Sequence, residues 1–542
     1  MKELFLRLSP NRKVLLLLLA GSVLTSLTLI FPQIGFLEWG SMIPLVAGAM
    51  MLCGNEKTSL WKSYRYGFFA VYVYYFVIYH WIVHLYPLDF VGMDNASSVA
   101  VILAGWLGLP LLQAFVGGLV FLGFGLIYRS GALKRSPVLA PLCFAALWTA
   151  FEWSSTIGWT GVPWGRLCIG QATLLPMLQI SSLFGSYAVS FLLLAVNGLL
   201  AYAILYQAKR ALCLSLASGL LLGNLIFGLI AQSRSFETET RLKAAVIQGN
   251  INSHDKWGAN GTQKMMDIYT DLTEQAVAQG AELVVWPETT LPFELNEKDY
   301  MMRALSSLAR ENNIYLMVGA LYYDEELHQS YNSLYMILPN GEFSEQRYDK
   351  QHLVPFGEYV PMRKVITTLI PPLGALSALE DDILPGKDSG LIDSEWGKIG
   401  SLICFDSIYE MLSVKSVRDG AEIMVISSND SWFFDSAAVY QHQIQAQIRA
   451  IETGRYFVRS ANTGISTILS PSGEILSWLD PLTEGYAVQE VSARQGRTLY
   501  SIIGNTFVYA CMAFALALPI SELAIKKIAK AKRVVDETEK TC

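Results

Sequence analysis

Apolar runs of roughly bilayer length, separated by short basic loops, fill the first 230 residues or so; the pattern then changes. A helix crossing a bilayer needs about 20 mostly apolar residues. The runs predict about eight spans, at 14–31, 40–53, 67–85, 99–128, 137–151, 185–206, 212–232 and 501–520, of which the second and fifth are short. Between Ser233 and Tyr500 short β-branched runs alternate with amphipathic stretches. Strands are expected at 242–248, 282–286, 314–320, 331–338, 399–404, 423–427, 456–461 and 466–469, and helices at 265–279, 299–312, 409–419 and 437–453. Strand cores this uniformly apolar imply a sheet covered on both faces, hence a layered α/β domain. Asn340-Gly341 predicts a hairpin turn, and 371–390 a loop able to move over a site.

The organisation expected is a seven-span membrane domain over 1–232, a polar domain over 233–500, a final transmembrane helix over 501–525 and a basic tail over 526–542. Composition agrees: 52% of residues are hydrophobic and only 16% charged, against about 25% charged in soluble proteins. The basic residues are segregated. Arg12, Lys13, Lys57, Lys62, Arg129, Lys134, Lys209 and the Lys-rich tail fall on one set of loops and ends, whereas the short loops of the other set hold only Arg166. By the positive-inside rule both termini are cytoplasmic and 233–500 lies outside. The first span follows a basic start without a convincing cleavage site, so it reads as a retained anchor. No basic run interleaved with aromatics marks a nucleic-acid surface in the polar domain.

The seven cysteines form no CxxC pair and only six histidines are present, so neither a metal nor another cofactor is expected. Cys404 is the only cysteine between Ser233 and Tyr500, at the end of an apolar strand, where it has no partner for an internal disulfide. An unpaired thiol at a strand end is a candidate nucleophile. It needs a base to take its proton and a cation to stabilise an oxyanion. Glu288 follows Val284-Val285-Trp286-Pro287, where proline ends the strand and turns the carboxylate to the sheet's edge. Lys350 opens a Pro/Gly-containing loop that also carries Glu358, placed to hold the lysine charged or to share the proton work. Glu38 and Glu152 fall at span edges, expected near water.

Glu288, Lys350 and Cys404, in this order, resemble the Glu-Lys-Cys triad of the nitrilase superfamily, and with the membrane spans the whole chain resembles the apolipoprotein N-acyltransferase family. The resemblance rests on Val246-Ile247-Gln248-Gly249-Asn250 with Trp257, on Trp286-Pro287-Glu288, and on Lys350 with Leu353-Val354-Pro355-Phe356-Gly357-Glu358. It extends to Ser428-Asn429-Asp430-Ser431-Trp432-Phe433, to the helix with His442, Arg449 and Glu452, and to Arg459-Ser460-Ala461-Asn462. One departure stands out: Cys404-Phe405-Asp406 replaces the family's usual Cys-Tyr-Glu. The resemblance implies an extracytoplasmic αββα nitrilase-like sandwich on a polytopic bundle in a bacterial inner membrane, acting as a monomer. Its catalytic residues would be Glu288, Lys350 and Cys404, supported by Glu358, Asp406, Trp257 and Phe405. The implied reaction moves an acyl chain from a phosphatidylethanolamine-like phospholipid to Cys404 as a thioester, then to the α-amino group of a diacylated apolipoprotein. The alternatives are a membrane-tethered amidase using water as acceptor, and a non-catalytic module that binds lipidated partners.

Overall fold

The computed structural model describes residues 8–88, 93–234, 238–251, 261–369 and 382–541. Its first part is a helical bundle: α1 (Pro10–Ile30), α2 (Ile43–Cys53), α3 (Leu60–Ile78), α4 (Asn95–Ser130), α5 (Leu139–Ser154), α6 (Ser186–Leu205) and α7 (Arg210–Gln232). Among the described residues, seven helical segments are long and apolar enough to cross a membrane: Pro10–Ile30, Pro32–Cys53, Leu60–Leu85, Asn95–Ser130, Ser186–Leu205, Gln207–Gln232 and Thr506–Arg533. They correspond to seven of the eight expected spans. The other, at 137–151, is α5, whose 16 residues rise only about 24 Å.

The bundle has two chemically distinct ends. At one, Lys62 bonds Asn11, Arg129 bonds the Thr58 carbonyl, Lys134 pairs with Glu56, and Lys526 bonds the Ser130 carbonyl. At the other, the loop carbonyls and amides of the bundle meet the polar part of the chain. Glu38 and Glu152, expected near water, are buried here. Glu152 Oε1 accepts from the Leu167 amide at 3.0 Å and Glu38 Oε2 from Gln171 at 2.6 Å, so the loop over 155–180 closes above them.

The polar part folds as two sheets between two helical layers. The first has the order β13-β1-β2-β4-β5-β6, with β3 also paired to β4. Its strands are β1 (Arg241–Gln248), β2 (Leu283–Val285), β3 (Leu291–Glu294), β4 (Tyr315–Asp324), β5 (Gln329–Ile337), β6 (Tyr348–Asp349) and β13 (Gly485–Ser492). The second runs β12-β11-β10-β9-β8-β7, from β7 (Ile392–Ser394), β8 (Gly397–Ile403), β9 (Ile423–Ser428), β10 (Phe457–Ala461), β11 (Ser466–Leu469) and β12 (Ile475–Leu479).

The two-residue period of a strand explains the layering. On β2, Leu283 and Val285 face inward to meet Ile399, Ile403, Ile423 and Val425 of the other sheet. Val284 faces outward, against α8 (Gly261–Ala278) and α9 (Asp299–Asn312), through Met265, Leu272 and Leu305. On the far side α10 (Glu410–Asp419) and α11 (Ala437–Thr453) cover the second sheet. The result is the expected αββα sandwich. The hairpin turn also forms: the Gly341 amide bonds the Leu338 carbonyl with Gly341 at φ +84°.

α11 is buried on every face, because the bundle covers the side turned away from its sheet. α12 (Thr506–Thr541) returns the chain to the bundle, packing on α5.

Candidate active site

The site lies where strands of both sheets end. Glu288 follows β2, after Trp286, whose ring lies against Tyr269 and donates to Thr273, and Pro287, whose carbonyl accepts from the Thr290 hydroxyl. β4 presses on this turn at a glycine. A Cβ at Gly319 would come 2.4 Å from the Pro287 oxygen and 2.9 Å from the Glu288 Cα. Lys350 follows β6, its amide on the Asn332 carbonyl and its own carbonyl receiving the Gly386 amide.

These segments bring the expected acid, amine and second acid together. Lys350 Nζ donates to Glu288 Oε1 at 2.8 Å and to Glu358 Oε1 at 2.9 Å, with the lysine only 1% exposed. Asn332 Nδ2 donates to the same two oxygens at 2.9 Å each. The outer oxygens are capped by backbone amides, Glu288 Oε2 by Asn429 and Glu358 Oε2 by Val354, both at 2.9 Å. Burial alone would drive Lys350 to its neutral form. The charges of Glu288 and Glu358 outweigh it and hold the ammonium well above the ordinary lysine range.

Cys404 ends β8 in the left-handed region, at φ +49°, and starts a one-turn 3-10 helix over Cys404–Ile408. Its thiol feels both partners. Burial and the Glu288 charge push it well above the ordinary thiol range, while Lys350 pulls the other way. Among the described residues Sγ makes no hydrogen bond to either Glu288 or Lys350, and the raised pKa favours the protonated thiol.

Asp406 ties the Cys404 turn to the lysine loop. Its Oδ2 accepts from the Tyr348 hydroxyl at 2.8 Å and the Ile403 amide at 3.1 Å, and its Oδ1 from the His352 amide at 2.7 Å. The carboxylate is one methylene shorter than glutamate, yet it reaches three donors. Burial pushes its pKa up to about 6, against the opposing pull of Lys350 and these donors. Phe405 packs edge-on against Tyr409, whose hydroxyl bonds the Gly161 carbonyl of the bundle loop. Trp257 lies outside the described residues.

Further residues complete the surroundings. Asn332 is a buried amide inside a β-strand, a pattern that is itself a signal. Arg166, read as the lone cation of the outer loops, is 1% exposed, not solvated. Its guanidinium pairs with Glu410 at 3.1 Å and donates at 2.9 Å to the carbonyl of Ile408, which ends the turn that Cys404 begins. Trp81 and Trp164 from the bundle and Phe433 from the sandwich form an aromatic wall, with Trp164 5.6 Å from the His442 ring. Cys404, Asp430 and His442 offer ligand atoms within 4.8 Å of one another. Protein donors already engage both oxygens of Asp430, and both ring nitrogens of His442 have protein partners.

An αββα sandwich presenting a cysteine, a lysine and a glutamate at its strand ends defines a protein of the carbon–nitrogen hydrolase class, and the family model described as carbon-nitrogen hydrolase matches residues 243–499. The model for the apolipoprotein N-acyltransferase N-terminal domain matches residues 21–199. Similar over nearly its full length is the apolipoprotein N-acyltransferase of Geobacter metallireducens, 33% identical over 528 residues, or 96% of each chain. The enzyme of that name from Gloeobacter violaceus is 29% identical over 91% of each chain. The one from Pasteurella multocida is 27% identical over 87% of this chain and 89% of its own. The chain belongs to the apolipoprotein N-acyltransferase family.

Proposed function

We propose that the protein transfers an acyl chain from a membrane phospholipid, through a Cys404 thioester, to the α-amino group of a diacylated apolipoprotein. Glu288 accepts the Cys404 proton, and the thiolate attacks the ester carbonyl. Lys350 Nζ and a backbone N–H stabilise the oxyanion, acting on charge that exists only as the reaction proceeds. Collapse breaks the ester C–O bond, and the departing lysophospholipid oxygen takes the proton from Glu288. In the second half the lipoprotein amine attacks the thioester, Glu288 removes its proton, and the C–S bond breaks to give the amide. Protonation of the sulfur by Glu288 restores the start. Glu358 keeps Lys350 charged and aimed. Asp406 fixes the loop to the nucleophile, and Phe405 and Trp257 belong to the supporting set.

The observation that carries this reading is the buried Glu288–Lys350–Glu358 cluster facing a thiol at the mouth of a membrane bundle. The distribution of charge supports an orientation. The basic end of the bundle, at Lys62, Lys134 and Lys526, is cytoplasmic with both termini, and the sandwich sits on the opposite face of a bacterial inner membrane. α5 supports eight passes, since it starts beside Arg135 and ends at Glu152 under the sandwich. We infer the division 1–232, 233–500, 501–525 and 526–542, a phosphatidylethanolamine-like donor and a monomeric enzyme. A site held at the bilayer surface meets two lipid-anchored substrates at high effective concentration.

The test is intact-mass analysis of the enzyme mixed with phospholipid, followed by addition of a diacylated lipopeptide. An acyl adduct on Cys404 that moves to the peptide amine, and is missing in Cys404→Ala, is the expected result. Release of free fatty acid without amide product would instead establish the hydrolytic alternative.

A further inference from the structure

Cys404 is held in a backbone conformation that a side chain with a Cβ avoids, at φ +49°. Such a conformation persists only where its surroundings over-determine it. The Ser407 hydroxyl donates to the Cys404 carbonyl at 2.7 Å, and His442 Nε2 lies 3.1 Å from the same oxygen and 3.0 Å from Ser407 Oγ. Ser407 belongs to the same helical turn, but His442 comes from α11, in the helical layer that covers the sheet of β8. Its other nitrogen, Nδ1, lies 2.9 Å from Asp430 Oδ1. Asp430 is in turn fixed by Arg459 Nη2 at 2.6 Å and the Ser428 hydroxyl at 2.8 Å. Burial alone would raise the Asp430 pKa, but Arg459 and His442 hold it well below the ordinary range, so it is a carboxylate and a pure acceptor. His442, Asp430 and Arg459 are all about 1% exposed or less.

We propose that His442, paired with Asp430 as an imidazolium whose Nδ1–H donates to that carboxylate and whose Nε2–H donates to the Cys404 carbonyl, is a positioning residue that braces the nucleophile's peptide. The physical reason is the planarity of the trans amide. The Cys404 carbonyl and the Phe405 N–H belong to one peptide unit and point in opposite directions. Pinning the oxygen to His442 therefore aims the N–H away from α11 and fixes the Cα from which Sγ projects. The same segment also serves the base, because the Asn429 amide next to Asp430 caps Glu288 Oε2. One short stretch, Ser428-Asn429-Asp430, thus sets the angle of the nucleophile and the position of its base.

This inference rests on the thioester mechanism proposed above, and its test separates the two. Glutamine at position 442 can place its amide nitrogen near the site of Nε2. Asparagine reaches only the site of Nδ1 and leaves the Cys404 carbonyl without its donor from α11. The measurement is single-turnover acylation of Cys404 in the full-length protein, across phospholipid concentrations, with melting temperature in parallel. His442→Asn is expected to lower the maximal acylation rate roughly 10- to 100-fold, the scale of a misplaced reacting group, with half-saturation unchanged, and His442→Gln to recover most of it. Equal rates for His442→Asn and His442→Gln, or a loss that follows only the melting temperature, would overturn the proposal. Should His442→Asn fail to fold, Ser407→Ala removes the other donor to the same carbonyl; a fall in maximal rate at constant half-saturation supports the brace, and an unchanged rate overturns it. Failure of wild-type Cys404 to acylate at all would instead sink the underlying mechanism.

Discussion

Replacing Lys350 with methionine removes the one positive charge that Glu288 and Glu358 share. Methionine matches the lysine stem in length and keeps the site packed. What remains is a pair of buried carboxylates, both directed at the Asn332 amide, with Glu288 at 6% exposure. Breaking a buried ion pair from one side costs about 3–5 kcal/mol, because the surviving charge loses its partner; here two survive, and only proton uptake relieves them. For a domain of this size that loss lowers the melting temperature by about 10 °C. Acylation suffers twice. The oxyanion loses its cation, worth about 10²–10³ in rate, and a protonated Glu288 no longer serves as base, worth about a further 10²–10⁴. Lys350→Met should therefore show no thioester by intact mass on the timescale of complete wild-type reaction. The discriminating variant is Lys350→Met with Glu358→Gln. It leaves one carboxylate beside two amides, so most of the lost melting temperature should return while the thioester does not. If the double variant melts no higher than Lys350→Met alone, the two carboxylates are not energetically coupled through the lysine and the electrostatic account of the site is wrong.

Three further outcomes follow from the same geometry. Asp406 has its pKa raised to about 6 from an unfolded value near ~4, so its contribution to stability is greatest below pH ~4 and is lost as pH rises through about 6. Activity should run the other way, falling as the pH drops through about 6 and the protonated carboxyl holds the His352 and Ile403 amides more weakly; a rate profile flat from pH 5 to 7, or one unaltered in Asp406→Asn, contradicts this. Gly319→Ala puts a methyl group 2.4 Å from the Pro287 oxygen and must move the strand end that carries Glu288, lowering the acylation rate about 10- to 100-fold; wild-type kinetics would show that this close approach does not position the base. Arg166→Gln leaves Glu410 buried without its cation, at a cost of about 3–5 kcal/mol, read as earlier melting and faster proteolysis, and Glu410→Gln in the same chain should restore most of it.

The elements legible in the sequence were those whose signal is local. The helix over 437–453 is bounded as expected, because Ser436 precedes it and Gly454 closes it in the left-handed region. The apolar strand cores at 242–248, 282–286 and 423–427 appear where expected, since burial on both faces leaves an uninterrupted hydrophobic run. Glu288, Lys350 and Glu358 were legible as types of chemistry at strand ends, and they do converge. What escaped was defined by distant partners. β6 and β7 are two and three residues long and exist only as edges paired to β5 and β8. The buried face of α11, with Gln441 and Gln445, looks like a solvated stripe until the bundle carbonyls of Leu29 and Pro163 are placed against it.

Arg166 shows most clearly why the second kind of feature changes the functional picture. Counting charges loop by loop assigns it to water, because the count holds no information about Glu410, 244 residues further along. Once the pair forms, the same guanidinium holds the Ile408 carbonyl, while Tyr409 reaches the Gly161 carbonyl of the bundle loop. Ile408 ends the one-turn helix that Cys404 begins. The bundle loop therefore grips the far end of the turn whose near end carries Cys404, and His442 of α11 meets that near end. A bundle that only tethered the sandwich would need no buried ion pair at this point. One that fixes the Cys404 turn at both ends does, because the turn is too short to hold both by itself.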